Sequence, residues 1–165
     1  MGNGYDRNST TNRVFVARYY TELLIVNRNI TKMTNQVLEF KNVKHLDISY
    51  NKIKHIGFLP ENLEELIIQK NEVVSLSKSL RVESLKYLNL SCNPIHDRCL
   101  EVINFCFPNL KCLDVSYCRL SKIQYSLSVL ILMKKLRMLY LLGNPFTLIR
   151  GYLELLKTEL PNIKF

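Results

Sequence analysis

The sequence predicts an α/β solenoid of about six stacked repeats, with a parallel sheet on its concave side and mixed helical and extended segments on its convex side. The first observation is a short apolar pattern, two leucine-like residues two positions apart and then an Asn, that recurs along the chain. The second is its period: the copies start at residues 23, 46, 66, 88, 113 and 139, which lie 20 to 26 residues apart. The third is a C-terminal stretch in which the pattern stops.

Each part of the repeat has a physical reason. Leu88 and Leu90 lie two apart, so both point to one face of a short strand while their neighbours point to the other face. Asn93 is expected to turn the chain out of the strand, and its amide can satisfy backbone groups that would otherwise be buried without partners. Cys118 takes this position in the fifth copy and Arg28 in the first. The spacing and the periods match those of leucine-rich repeats.

The outer segments differ in length from repeat to repeat. The shortest, around "GFLPENLEEL", contains Pro60 and has too few residues for a helix, so we expect an extended or turn-like connection there. The stretch "DRCLEVINFCF" predicts a helix with Asp97 as its N-cap that ends before Pro108. A second helix is predicted from about Ser126 to Lys135.

The C-terminal stretch "FTLIRGYLELLKTELPNIKF" predicts a helical cap. A terminal repeat has to cover the apolar edge of the last turn, which otherwise meets water or another chain. The apolar residues at helical spacing are Tyr152, Leu155, Leu156 and Leu160. Ile163 and Phe165 are expected to return along the last strand and to close its edge.

This stretch resembles the C-terminal cap of a large intracellular leucine-rich-repeat family, in which Gly-Asn-Pro and a Tyr precede a helix and a Leu-Pro motif. The matching residues are Gly143, Asn144, Pro145, Tyr152, Leu160, Pro161 and Ile163. The family includes a regulatory subunit of protein phosphatase one, the A-prime protein of the spliceosome and an axonemal dynein light chain. The chain stops before the Leu-Asp that closes the family's motif, so we expect a short gene product or a fragment of a longer one.

The resemblance implies a non-catalytic scaffold that binds a partner protein on its concave face. The segments "LPENLEEL" and "LYLLGNPFTLIRGY" resemble the sequences of ciliary members of the family, so a cilium or axoneme is the leading expected setting. The alternative is an assembly or regulatory subunit of a phosphatase or of a spliceosomal, RNA-associated complex.

The chain divides into a polar N-terminal segment, residues 1–19, and a repeat domain, residues 20–165, whose cap covers about residues 144–165. Residues 13–20, "RVFVARYY", alternate like an edge strand, while the residues before them are polar and suggest partial disorder. This polar start resembles neither a secretory signal nor a membrane anchor, which favours the cytoplasm, with the nucleus as the alternative.

Five cysteines lie within one short window of the sequence. Their number is odd and no Cys-x-x-Cys pair occurs, so we expect free and mostly buried thiols, with no metal site and no disulfide. The histidines, His45, His55 and His96, fall in different phases of the repeat, and none lies beside an expected nucleophile and acid. No phosphate-binding glycine loop occurs. We therefore predict a protein that is not an enzyme and has neither catalytic residues nor a cofactor or small-molecule substrate.

The exposed strand positions form columns across the predicted sheet. These columns contain four acids, four tyrosines and one lysine, although the chain has a net charge of +9. Tyrosines provide large contact area at low entropic cost and are common in interface hot spots. The residues predicted to contact a partner are Tyr50, Tyr87, Tyr117, Tyr140, Asp47, Asp114 and Glu65. A framework role, hydrogen-bonded to neighbouring strands, is the alternative for the two aspartates.

A nearly basic row is predicted along one rim of the sheet. Its basic residues are Lys44, Lys86, Lys111 and Arg137, and Glu64 interrupts them. The row favours an acidic protein partner, although rim positions of this kind can also be merely solvated. The positive charge would attract nucleic acid as well, but without a sequence-specific reader, so that class stays the less favoured alternative.

Overall fold

The computed structural model of the chain describes residue 17 and residues 19–165. Within this part, six strands form one parallel sheet in the order β1-β2-β4-β6-β7-β8, and two more form a small parallel pair, β3-β5. The strands are β1 Glu22–Leu24, β2 His45–Asp47, β3 His55–Ile56, β4 Glu65–Ile67, β5 Ser75–Leu76, β6 Tyr87–Asn89, β7 Cys112–Asp114 and β8 Met138–Tyr140. The helices are α1 Cys99–Cys106, α2 Ile123–Leu130 and α3 Tyr152–Glu159, with short 3-10 helices at Asn35–Glu39 and Pro145–Leu148.

The predicted register of the repeats is confirmed. The first leucine of each repeat pairs with the first leucine of the next, from Leu23 and Leu46 through to Leu113 and Leu139. From the second repeat onward these leucines are almost fully buried, and they form one continuous core with the residues of the outer segments. Leu23 of the first repeat is only partly buried. The described chain is therefore a solenoid of six stacked repeats.

A ladder of buried asparagines joins successive repeats. The Asn93 amide donates to the carbonyls of Leu90 (3.0 Å) and Ser91 (3.3 Å) in its own repeat and to Ile68 (3.0 Å) in the previous one. Its oxygen accepts the backbone N–H of Val73 at 2.9 Å. Asparagines at the same position make matching contacts in three other repeats: Asn51, Asn71 and Asn144. Each Asn therefore satisfies backbone groups of two repeats at once.

Cys118 replaces the asparagine in the fifth repeat. Its thiol donates to the carbonyl of Leu90 in the previous repeat at 3.5 Å and to that of Ser116 at 3.6 Å. Burial raises the pKa of this thiol to about 12, so it keeps its proton at neutral pH. As expected, Cys118 imitates the amide only weakly, because sulfur is a poor hydrogen-bonding atom.

The turn out of each strand is made by the residue before the asparagine, so the prediction that the Asn itself turns the chain is wrong. This residue has a positive φ in all six repeats: Asn27, Tyr50, Lys70, Cys92, Tyr117 and Gly143. Left-handed backbone costs a residue with a side chain roughly 1–2 kcal/mol. Backbone bonds to the next repeat fix it, as in Tyr50 N–H to the Gln69 carbonyl at 3.0 Å.

The outer segments follow the predicted division between short and long repeats. The segment "GFLPENLEEL" contains no helix, as predicted. The short parallel pair β3-β5 was not predicted: β3 lies just before this segment, and β5 lies at the equivalent place in the next repeat. The helix predicted in "DRCLEVINFCF" is α1. The helix predicted from Ser126 to Lys135 is displaced: α2 begins at Ile123 and ends at Leu130. Met133 and Leu136 lie beyond it and are buried on the way into the next strand.

Asp97 does not cap α1, and that prediction is wrong. Its carboxylate instead accepts the hydroxyl of Ser126 at 2.8 Å and the backbone N–H groups of Lys122 (3.0 Å) and Ser121 (3.2 Å), all in the following repeat. Burial alone would raise the Asp97 pKa, but these hydrogen bonds outweigh it and leave the pKa below its usual value. Asp97 thus joins two repeats at the start of α2.

The C-terminal cap is helical, as predicted. On α3 and just after it, Leu156 and Leu160 are buried, and the chain then returns to the last strand. The edge is closed by Lys164, whose N–H donates to the Arg137 carbonyl at 2.8 Å and whose carbonyl accepts the Leu139 N–H at 2.9 Å. Phe165 remains 39% exposed, so its side chain does not close the edge as predicted.

The described residues at the N-terminal end do not include the predicted edge strand. Most of residues 13–20 lies outside the described part of the chain. Ala17 is helical and buried, and Tyr19 lies in a turn. The five cysteines are free thiols, as predicted, and four of them are buried. None of the described helices is long and apolar enough to cross a membrane.

The buried leucine ladder generates a first prediction. Leu88→Ala should lower the free energy of unfolding by about 2–5 kcal/mol, because it opens a cavity in the middle of the stack. The matched control is Leu142→Ala, whose side chain is 62% exposed and which should change stability by less than about 0.5 kcal/mol. Urea unfolding followed by circular dichroism measures both, and a loss under about 1 kcal/mol at Leu88 would contradict this packing.

The asparagine ladder generates a second prediction with opposite signs at two equivalent positions. Asn93→Ala should destabilise the chain by about 2–4 kcal/mol, because a buried N–H and several carbonyls lose their partner. Cys118→Asn should stabilise it by about 0.5–1.5 kcal/mol, because an amide forms stronger hydrogen bonds to the backbone of both repeats than the thiol does. Thermal and urea unfolding of both variants test this, and destabilisation by Cys118→Asn would contradict it.

Candidate functional site

The concave face consists of two columns that the strand register confirms. The first positions of the six strands pair with one another across the sheet, and so do the third positions. The first column contains Glu22, His45, Glu65, Tyr87, Cys112 and Met138. The second contains Leu24, Asp47, Ile67, Asn89, Asp114 and Tyr140. Below, these two columns are called the concave floor.

The positions next to the floor are less open than the sequence columns implied. Two residues after the second column, the serines of three repeats, Ser49, Ser91 and Ser116, are buried. In the last repeat the same position holds Leu142, which is exposed. Cys112 belongs to the floor but is only 5% exposed, because its register neighbours Tyr87 and Met138 have much larger side chains.

The middle of the floor is polar and acidic. His45 Nδ1 lies 2.9 Å from a carboxylate oxygen of Glu65 on the next strand. Asp114 accepts the backbone N–H of Ser116 at 2.8 Å, and Asp47 accepts the N–H of Ser49 at 2.9 Å together with its hydroxyl. The two aspartates therefore have a framework role within their own repeats, and not across neighbouring strands. Both remain half-buried at the floor surface.

The four predicted tyrosines all lie on or beside the floor, but in different environments. Tyr140 is 44% exposed on β8, whereas Tyr87 is half-buried in the first column. Burial raises the pKa of the Tyr87 hydroxyl, and the neighbouring Cys112 thiol adds to the effect. Tyr50 and Tyr117 occupy the left-handed turn positions along one edge of the floor and are 46% and 58% exposed.

Two of these tyrosines are held in place by a neighbour in the next repeat. The ammonium of Lys70 lies 4.8 Å from the centre of the Tyr50 ring, which is a cation–π contact. The Tyr117 ring lies against Gly143, where an added Cβ would come within 2.4 Å of it. Gly143 therefore provides both the left-handed turn and the space for an aromatic ring. Such fixed rings lose little entropy on binding.

Apolar side chains lie at both ends of the concave face. At the C-terminal end Met138, Tyr140 and Leu142 lie along the last strand and its turn, with Leu142 62% exposed. At the N-terminal end Leu24 is 64% exposed. Tyr140 was a predicted contact, whereas Met138, Leu142 and Leu24 were not, although apolar residues at exposed column positions were a visible signal of them. The face thus combines a polar centre with apolar ends.

The basic rim is neutralised over part of its length. Glu64 lies between Lys44, at 3.1 Å, and Lys86, at 2.5 Å. Hydrogen bonds and charge from Lys86 and Lys44 lower the Glu64 pKa to about 2. Lys111 and Arg137 form no ion pair with any described residue. The structure therefore divides the four predicted rim residues into a compensated pair and an uncompensated pair.

One histidine lies beside a thiol. His96 Nε2 is 3.8 Å from the Cys99 sulfur. Burial raises the pKa of this thiol, and it donates to the Val74 carbonyl at 3.4 Å, so it lacks the thiolate character of a nucleophile. Among residue 17 and residues 19–165, no group of three or more His, Cys, Asp and Glu residues is placed to hold a metal ion.

The chain matches known proteins over most of this fold. Two family models match, one described as Leucine Rich Repeat at residues 42–66 and 109–130 and one as Leucine Rich repeat at residues 83–103. Leucine-rich repeat-containing protein 43 of Homo sapiens is 28% identical over 87% of this chain and 23% of its own length. The Mus musculus protein of that name is 29% identical over 84% and 22%. The chain thus spans less than a quarter of these two relatives.

Solved structures give the same fold. The Drosophila melanogaster SNF/U2A' complex contains a chain with a TM-score of 0.54 and 19% identity, covering 95% of this chain and 81% of that one. An internalin (inlF) from Listeria monocytogenes has a TM-score of 0.61 and 21% identity, covering 79% and 37%. Together with the six strands in register, these matches identify the chain as a leucine-rich-repeat solenoid.

Proposed function

We propose that this chain is a non-catalytic interaction scaffold that binds a segment of a partner protein on its concave face. Proteins with leucine-rich repeats generally mediate protein–protein interaction, and nothing in the matched proteins indicates an enzymatic activity. The observation that carries the proposal is the set of exposed tyrosines on a sheet whose register is fixed repeat by repeat. A rigid sheet presents them without the ordering cost that a flexible loop would add.

The chemistry of the floor defines the segment it would bind. Tyr140, Met138 and Leu142 offer apolar contact area at the C-terminal end, and Tyr87, Asp47 and Asp114 follow toward the centre. The floor carries four carboxylates, so an acidic segment would be repelled there. A neutral or basic segment with apolar side chains fits it best. Acidic parts of the same partner would be attracted to the basic surfaces outside the floor.

The biological setting rests on resemblance. A cilium or axoneme, and with it a cytoplasmic location, is the leading proposal, supported by the likeness of the chain to Leucine-rich repeat-containing protein 43. A phosphatase assembly or a spliceosomal complex in the nucleus is the alternative, and the likeness to a chain of the SNF/U2A' complex favours the spliceosomal form. The net charge of +9 makes contact with nucleic acid a competing explanation that the experiment has to separate.

Affinity capture tests the proposal. The purified, nuclease-treated chain should recover a discrete partner at physiological salt, which mass spectrometry identifies. Recovery should fall about tenfold or more in the double variant Tyr87→Ala/Tyr117→Ala, because these rings are expected to be hot-spot contacts. The identity of the recovered protein chooses between the ciliary, phosphatase and spliceosomal settings.

The matched control is Phe58→Ala/Phe105→Ala, which removes two exposed aromatic rings from the outer side of the solenoid. It should leave capture unchanged, and both double variants should unfold at nearly the wild-type temperature. Equal capture by wild type and by the tyrosine variant would overturn the concave-face proposal. If the chain recovered only nucleic acid and its associated proteins, and only at low salt, the result would support binding of nucleic acid through the net positive charge.

A further inference from the structure

Two of the four basic rim residues, Lys111 and Arg137, form no ion pair with any described residue, and the chain of the cap returns beside them. The Arg137 N–H donates to the Lys111 carbonyl at 2.8 Å, and the Lys164 N–H donates to the Arg137 carbonyl at 2.8 Å. Lys111 and Arg137 therefore occupy successive positions along one edge of the sheet. Lys164 pairs with Met138, so it lies beside this row and continues the first column of the concave floor into the cap.

Two more lysines precede the last strand. Together these residues form what we call the C-terminal basic cluster: Lys111, Lys134, Lys135, Arg137 and Lys164. All five are exposed, and none lies at ion-pair distance from a carboxylate of the described chain. The Lys135 ammonium donates to Asn109 at 2.7 Å and the Arg137 guanidinium to two backbone carbonyls, which are neutral partners and leave the charges in place.

A groove of about 580 Å³ adjoins this cluster, between the end of α2 and the cap. Its apolar lining residues are Leu130, Ile131, Met133, Leu136, Leu160 and Ile163, of which Ile131 and Ile163 are the more exposed. Lys134 and Arg137 of the cluster line it as well, opposite in charge to Glu159, the one described carboxylate in its wall. The groove is therefore positive overall, and Ile131 and Ile163 give its more polar surface an apolar contact.

We propose that this groove and the C-terminal basic cluster bind an acidic segment of a partner protein that carries an apolar side chain. The apolar side chain enters the groove, and the carboxylates around it lie against the lysines and Arg137. Charge complementarity selects the acidic sequence, and the groove selects the apolar residue within it. A segment of this kind does not fit the concave floor, whose own carboxylates repel it.

The same features disfavour the other anionic partners. Single-stranded nucleic acid is bound by basic grooves that also provide aromatic rings for stacking, and none of the described residues lining this groove is aromatic. A lipid surface is flat and engages protruding side chains, whereas the apolar lining here is recessed.

Fluorescence anisotropy of the full chain with a fluorescein-labelled peptide, a run of glutamates around one leucine, tests the inference. The peptide should bind, and more weakly as salt is raised. The variant Lys111→Glu/Lys134→Glu/Lys135→Glu should bind it about tenfold more weakly or worse. The charge-matched variant Lys32→Glu/Lys52→Glu/Lys78→Glu lies elsewhere on the surface and should lose less than about threefold.

Four results would overturn the inference. They are absence of peptide binding, equal losses in the two triple variants, unchanged affinity when the central leucine of the peptide becomes serine, and tighter binding of an RNA oligonucleotide or of phosphatidylserine vesicles through the same lysines. Neither Tyr87 nor Tyr117 lines the groove, so Tyr87→Ala/Tyr117→Ala should bind the peptide normally. If Tyr87→Ala/Tyr117→Ala fails to bind the peptide, the peptide binds the concave floor and the inference is overturned as well. If this variant binds the peptide but no longer captures the partner protein, the result bears only on the proposed function.

Discussion

The structure depends on the satisfaction of buried backbone groups at the end of every strand. Each strand of the main sheet is three residues long, and the chain then turns abruptly into the outer segment. The carbonyls and N–H groups of that turn are buried, and an isolated repeat could not satisfy them. The amide of Asn51, Asn71, Asn93 or Asn144 does so for its own repeat and for the previous one. The stack is therefore cooperative, and its curvature and register follow from one repeated hydrogen-bonding unit.

The same constraint creates the surface proposed for binding. The turn requires a left-handed residue immediately before the asparagine, and that residue points outward at the edge of the floor. Tyr50, Lys70 and Tyr117 occupy this position, so their side chains are presented by fixed backbone. The floor itself is acidic and aromatic, while the C-terminal basic cluster lies outside most of it, without ion pairs to the described carboxylates. These two surfaces differ in charge and would bind chemically different segments.

The repeat pattern predicts the fold well because one buried leucine per strand and one asparagine per turn leave little freedom. The strand columns follow from that spacing alone, whereas the cap helix was predicted from the helical spacing of apolar residues after the pattern stops. Details that depend on contacts between repeats were not predictable in the same way: Asp97 binds Ser126 of the following repeat, and Glu64 neutralises Lys44 and Lys86. Burial of Cys112 likewise depends on the sizes of its cross-strand neighbours, which a single repeat does not contain.

Site-specific photocrosslinking tests the central claim most directly. A benzoylphenylalanine residue is placed at Tyr117 on the concave side or at Phe105 on the outer side, both more than half exposed in the native chain. The account predicts that the captured partner crosslinks from position 117 and that crosslinking from position 105 stays at background. A partner that crosslinks from position 105 and leaves position 117 unlabelled would contradict binding on the concave face.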